Sequence, residues 1–294
     1  MQKQKNNATK ETRIKSSFWG DAWRRLKQDR AAVVALCVLV LLILCGIFAP
    51  YIAPYPYDLQ DTTATFQLPN AQHLLGTDNF GRDILSRIIY GSRVSLIVGF
   101  SSIIVAIIVG GLLGAISGYY GGKVDNILMR LMDILMAIPG MLLAISLAAV
   151  LKPGLMNLVI AIAIAEVPGY ARVVRASVLT IKDQEYIEAA TCIGASDRRI
   201  ILRHIIPNCM APIIVQATLG VAGAILSAAS LSFLGLGIQP PTPEWGSMLS
   251  SARQFIRQYW HMTTFPGLAI MITIFALNVL GDGLRDALDP RMKN

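Results

Sequence analysis

The sequence predicts an all-α integral membrane protein with six transmembrane helices and both termini in the cytosol. Two observations predict the class and a third the orientation. First, the chain is 54% hydrophobic and only 15% charged, well below the roughly 25% charged of soluble domains. Second, long uncharged runs fall at residues 31–57, 94–122, 134–151, 205–243 and 262–281, most of them at least as long as the ~20 residues needed to cross a bilayer. Third, the Lys and Arg residues are divided very unevenly between the segments that join these runs.

A weaker sixth segment, residues 153–165, is uncharged up to Glu166 and the breaker pair Pro168-Gly169. It is counted as the fourth span because the charge balance fails without it. With six spans, twenty of the 26 Lys and Arg residues fall on one face: the tail, Lys123 and Arg130, a polar stretch after Pro168, and the C-terminus. Six remain on the other: Arg82, Arg87, Arg93, Lys152, Arg253 and Arg257. The positive-inside rule then puts both termini and the polar stretch in the cytosol. The net charge of +8 is a topology signal, because the basic residues are scattered among spans. A nucleic-acid partner needs them gathered on one folded face. The first span lacks a small-residue cleavage site and reads as a retained anchor.

Taken in order, residues 1–17 are polar and lysine-rich, and 18–30 place Trp19, Ala22, Trp23 and Leu26 opposite Arg24, Arg25 and Lys27. That pattern suits an interfacial helix, so 1–30 reads as a cytosolic tail. The first span covers 31–52, an external segment 53–93, a five-helix core 94–282 with a cytosolic loop at 168–208, and a short tail 283–294. In the external segment Asp78, Arg82, Asp83 and Arg87 lie close together, either as mutual ion pairs that fix the loop or as a partner site. In the second span Gly110, Gly114, Gly118 and Gly122 recur every fourth residue, a bare face for close helix packing. The fifth run is too long for one span: Gly235, Gly237 and Pro240-Pro241 should stop the helix. Thr242, Pro243 and Glu244 should start a short one at the outer mouth, with Trp245, Met248, Leu249, Ala252, Phe255 and Ile256 as its apolar stripe.

Chemistry of its own is not legible in the chain. The single Gly-Lys pair, Gly122-Lys123, is followed by Val124, which breaks the phosphate-cradling pattern. No nucleophile–base set appears. Cys37, Cys45, Cys192 and Cys209 form no CxxC pair, and His73, His204 and His261 lie apart, so no metal is expected. Asp133, Glu166 and Asp282 fall near the cytosolic ends of predicted spans, whereas a proton-coupled carrier needs an ionisable group at depth. Energy for transport must then come from another protein.

The polar loop supplies the contact. Asp183 should cap a helix over 184–193 with Glu188, Ala189 and Ala190 on its middle turns, Gly194 suits its left-handed end, and Ser196 caps a second helix to His204 before Pro207. The stretch resembles the EAA loop of ABC importer permeases, the element that docks on a cytosolic ATPase. GTDNFGRD, GYYGGKVDNILMR, SFLGLGIQPPTPEWG and FALNVLGDGLRDALDP extend the resemblance from about residue 20 to the end of the chain. Together they look like the dipeptide/oligopeptide/nickel importer family, in particular its second, "C", permease. His204 and Ile206 depart from the general EAA consensus.

The resemblance implies a type I ABC importer permease fold in the bacterial cytoplasmic membrane. It implies a heterodimer with a homologous permease, two ABC ATPases that use ATP and Mg, an external solute-binding protein, and peptide cargo. The permease itself would be non-catalytic, hold no cofactor and touch only lipid and these partners. Glu188, Ala189, Ala190, Gly194 and Pro207 are its coupling candidates, and Gln216, Thr218, Ser227 and Ser230 of the fifth span its path candidates. Nickel or metal-chelate import, and a proton-coupled carrier, are the alternatives.

Overall fold

The computed structural model describes residues 18–288; the lysine-rich stretch 1–17 and the basic residues Arg291 and Lys293 lie outside the described residues. The order is α1 (Phe18–Leu26), α2 (Arg30–Ile47), α3 (Ala49–Ile52), α4 (Ile84–Tyr120), α5 (Gly122–Met136), α6 (Gly140–Leu151) and α7 (Leu155–Ile181). There follow α8 (Glu185–Cys192), α9 (Asp197–Ile200), a π-helical turn Ile201–Ile205, α10 (Ile206–Asn208), α11 (Met210–Phe233), α12 (Trp245–Ala252) and α13 (His261–Leu288). All extended elements among the described residues are helices. Five helices, α2, α4, α7, α11 and α13, are long and apolar enough to cross a membrane, six spans if α5 and α6 form one bent span.

The first helix is amphipathic as expected: Trp19 and Trp23 are half exposed while Ala22 and Leu26 are buried, and α1 packs on α13. Asp29 then caps α2 by accepting from the Ala31 and Ala32 amides. Little of α2 is buried within the chain; Ala32, Ala35 and Leu39 provide its inner face.

The centre of the molecule is the pairing of α4 with α7. At Gly110 a methyl would come within 2.5 Å of the Val167 carbonyl, at Gly114 it would collide with the Ala171 carbonyl, and at Gly118 it would meet Val178 Cβ at 2.9 Å. Backbone therefore lies on backbone along two turns. Gly122 does not share this contact: α4 ends at Tyr120, and Gly122 opens α5 at φ +53° with nothing around it. A helix that ends at Tyr120 cannot carry the four-residue period one step further.

Pro168-Gly169 does not break the fourth span. α7 runs through Pro168 to Ile181, so the segment assigned to 153–165 is 27 residues long. Pro168 is buried where α7 lies on α4, and that packing outweighs the loss of one donor. One consequence is that Glu166 is not near a helix end. It is interior to α7, about 16 Å from the first residue and about 22 Å from the last at 1.5 Å per residue.

The third span also differs from expectation. Its charged approach, Lys123 to Asp133, is helical rather than loop, and α5 and α6 meet at an 84° bend. Pro139, the residue before α6, removes a donor and restricts Ile138. With 12 residues, α6 is about 18 Å long and cannot cross ~30 Å of hydrocarbon by itself.

On the other side α11 stops at Phe233 and Gly235 turns at φ +81°. The short helix begins at Trp245, two residues later than a Thr242 cap would place it, because Glu244 is the cap: its carboxylate accepts from the Gly246 and Ser247 amides at 2.9 and 2.8 Å. Glu244 is buried, and burial pushes its carboxyl above the usual carboxylate range while those amides oppose the shift. α12 is wedged among α4, α11 and α13; Trp245, Met248 and Ala252 are core, whereas Ile256 is exposed.

The charges of residues 78–87 tie this wedge to the loop before α4. Arg82 Nε donates to Asp78 at 2.7 Å, Asp83 caps α4 by accepting from the Ser86 amide at 2.7 Å, and Arg87 donates to the Tyr57 and Pro241 carbonyls at 3.0 and 3.3 Å. All four side chains are buried, the structural alternative of the two. Replacing Gly114 by Leu should separate α4 from α7 and cost about 3 kcal/mol or more, since the obstacle is backbone. Gly111→Ala, where the nearest atom is 3.9 Å away, should be neutral; thermal unfolding of the purified protein in detergent compares the two.

Candidate functional site

The loop that follows α7 folds as a compact knob. α7 ends at Ile181, and α8 starts three residues on, after Lys182 to Gln184, with Gln184 as its cap and no side-chain cap bond, so Asp183 does not serve as cap. Gln184 takes the extended cap conformation, which leaves Asp183 one place outside the helix. At the other end Gly194 has φ +77°, its amide donates to the Thr191 carbonyl at 2.9 Å and the Ala195 amide to Ala190 at 3.0 Å. These two bonds satisfy the last carbonyls of α8, and the left-handed residue between them favours glycine.

The knob has its own core. Ile187, Ala190, Ile200, Ile201, Ile205 and Cys209 pack with Val174 and Val178 of α7 and Ala115 of α4. Burial pushes the Cys209 thiol up to about 11. Tyr119 donates to Asp197 at 2.9 Å and ties the knob to the end of α4. What faces outward is therefore a defined surface of α8: Glu185, Tyr186, Glu188, Ala189, Cys192 and Ile193 are all exposed.

The structure divides the five coupling candidates. Glu188 and Ala189 lie on the outer surface, Ala190 is buried beneath them, and Gly194 ends the helix with open space where a side chain would be. Pro207 is exposed on α10, three residues before α11 begins after a break at Cys209. Ile193, 85% exposed, and Tyr186 escaped the sequence reading. A large apolar residue next to a turn glycine was the available signal.

A polar cleft lies beside the knob between α5 and α7. Arg175 holds Asp125 by two bonds of 2.6 Å, and Arg172 holds Asp133 at 2.6 Å. With Asn126, Met129 and Arg130 these residues line a cleft of about 590 Å³. The spacing that predicts it is visible in the sequence: Asp125 and Asp133 share one face of a helix, and Arg172 and Arg175 another.

The path candidates on α11 do not all share a face. At 100° per residue Gln216, Ser227 and Ser230 fall within about 60° of arc, whereas Thr218 is on the opposite side. There Thr218 approaches Gly281 of α13. Gly223 belongs to the first arc and has nothing within 4 Å of an added methyl. This side of α11 is open in the single chain. Tyr170 of α7 borders it, donating to the Gln216 carbonyl at 3.2 Å.

Residues 106–294 match the family described as binding-protein-dependent transport system inner membrane component. Residues 17–70 match the N-terminal TM domain of oligopeptide transport permease C. The Di/tripeptide transport system permease protein DppC of Pseudomonas aeruginosa is 47% identical, covering 92% of both chains. The Dipeptide transport system permease protein DppC of Alkalihalophilus pseudofirmus is 49% identical over 95% of this chain and 91% of its own. The Glutathione transport system permease protein GsiD of Escherichia coli is 48% identical over 94% and 91%. Among solved structures, the inward-facing MetNI methionine ABC transporter superposes with a TM-score of 0.57 at 17% identity, covering 69% of this chain and 96% of that one, a likeness of fold. With the chain from the middle of α4 onward matching one family and α1 to α3 the other, the chain belongs to the binding-protein-dependent transport system inner membrane components, the permeases of ABC importers, and carries the N-terminal domain of oligopeptide permease C.

Proposed function

We propose that this permease carries di- and oligopeptides across the bacterial cytoplasmic membrane by alternating access, driven by ABC ATPases that grip α8. The observation that carries the reading is the knob: α8 presents Glu188 and Ala189 outward from a small core and is joined to α7 by a short turn. A partner that moves α8 thereby moves the end of a long helix in the middle of the bundle. Relatives named for di- and tripeptide and glutathione transport, at 47–49% identity, favour peptide cargo over nickel or metal chelates.

In this reading the chain is non-catalytic and binds no cofactor; ATP and Mg belong to two partner ATPases. A homologous second permease completes the path, covering open faces such as that of α11, and an external solute-binding protein delivers the cargo. The knob and both termini face the cytosol, consistent with the basic residues on those segments.

Three outcomes test this. In the reconstituted importer, dipeptide uptake should require ATP and persist when the proton gradient is collapsed; uptake driven by the gradient without ATP would exclude the reading. Ala189→Leu on the outer surface should abolish co-purification of the ATPase while leaving the fold intact. Ala190→Leu, buried in the knob, should instead cost stability by about 1–3 kcal/mol; equal behaviour of the two would refute the assigned surface. A membrane-impermeant thiol reagent should label exposed Cys192 only from the cytosolic side, with Cys209 protected by burial. Labelling of intact cells at Cys192 would reverse the topology.

A further inference from the structure

Because α7 continues through Pro168, the permease holds a carboxylate that the docking of an ATPase leaves without a role. Glu166 lies in the interior of a 27-residue spanning helix. It is half buried, and among the described residues it has no hydrogen bond or ion pair. Other carboxylates within or beside the bundle are engaged: Asp125 and Asp133 with Arg175 and Arg172, Asp78 with Arg82, and Asp83 with the start of α4, while Asp282, toward the end of α13, is exposed. Those lie toward helix ends. An ionisable group at the middle of a span is costly to keep and is retained where it meets a partner.

Position on the helix narrows what that partner is. On α7, Glu166 stands between two neighbours, about 40° from Tyr170 and about 60° from Gly169. Tyr170 is buried against α11, its hydroxyl bonded to the Gln216 carbonyl. Gly169 looks into open space, with nothing within 4 Å of an added methyl. The carboxylate is thus carried at the edge where α7 turns from α11 toward the open side of the chain. Across that edge α11 offers Gln216, Gly223 and Ser227, polar or without side chain. The strip is polar or bare along α11 and carries one carboxylate on α7.

We propose that Glu166 is a cargo contact on the translocation path, its carboxylate accepting the α-ammonium of a passing peptide. The inference rests on the peptide reading given above and adds the residue that would recognise the cargo's amino end. A peptide released from its carrier protein enters a region of low dielectric with its ammonium unsolvated. A carboxylate waiting at mid-span supplies a charge-assisted bond for that group, and the helix that bears it is the one whose end carries α8. Binding and release are then properties of the element that the motor moves.

The test uses the complete importer in liposomes, with both permeases, ATPases, the binding protein, and labelled alanyl-alanine as probe. Failure of the wild-type importer to take up alanyl-alanine with ATP would sink the peptide reading itself. Given that uptake, Glu166→Gln should lower the maximal rate about tenfold, the effect of losing one charge-assisted bond, while membrane insertion and basal ATP hydrolysis persist. Glu166→Asp should recover most of the rate. The ratio of alanyl-alanine uptake to that of its N-acetyl derivative should fall in the Gln variant, a comparison in which the binding protein's own preference cancels. An unchanged rate or ratio overturns the proposal. So does loss of permease pairing in Glu166→Gln, which would make the residue a subunit contact, or a wild-type rate that follows an imposed proton gradient, which would make it a proton relay.

Discussion

The architecture depends on the absence of side chains at Gly110, Gly114 and Gly118, which lets α4 and α7 touch backbone to backbone. In a membrane there is little hydrophobic force between helices, so close dispersion contact and fitted shape must hold them. The contact does more than join two spans. It supports α7 across Pro168 and seats Tyr170 against Gly110, from where its hydroxyl reaches α11. It also gives the knob a fixed base, since Ala115 of α4 and Val174 and Val178 of α7 form one side of the knob's core. Remove the glycine face and the loop that meets the motor loses its footing.

Features set by local rules were readable in the chain. The glycine period, the left-handed Gly194, the amphipathic α1 and the stop at Gly235 each follow from a few neighbouring residues, and the structure has them. Features decided by a partner across space were not. Pro168 looks like a breaker until α4 is placed against it. Lys123 to Asp133 look like loop because a search for uncharged runs ends at any charge, whereas Arg172 and Arg175 on another helix neutralise two of those carboxylates. Glu244, which the sequence places at the start of a helix capped by Thr242, is the cap itself, and Thr242 and Pro243 remain in the loop before it. Gly122 fits a count along the sequence but falls off the face that the count implied, and Thr218 lies across α11 from the other three path candidates.

The coupling motif shows the same division at the scale of single residues. Glu-Ala-Ala reads as one unit in sequence, yet a helix turns 100° per residue, and the second alanine points into the knob while the first stays outside. Two small residues in a row thus serve different needs: Ala189 leaves room for a partner, and Ala190 lets α8 lie close to Ile200 and Ile201. The outer surface is completed by Tyr186 and Ile193, large apolar groups whose exposure is unfavourable in water. Seven residues apart, they fall within about 20° of each other on the helix, so they form one apolar edge of the surface with Glu188 at the other.

Backbone-to-backbone contact also limits how the bundle moves. Turning α7 about its own axis would drive the Val167 and Ala171 carbonyls past the α4 glycines and bring bulkier neighbours into the contact, so α4 and α7 must travel as a pair. The compliant points are then at the ends of that pair. Gly121 and Gly122 follow α4 with φ of +64° and +53° and nothing within 4 Å of either, and Lys152 and Gly154 precede α7 at φ +71° and +155°. Between these joints α5 and α6 form a bent connector, joined to α7 by two ion pairs as well as by Met132, Ala144 and Ala148 in the core. The half-exposed Arg172–Asp133 pair re-forms at small cost in energy, so the charged side of the connector is a place where the bundle can adjust while the glycine seam stays closed.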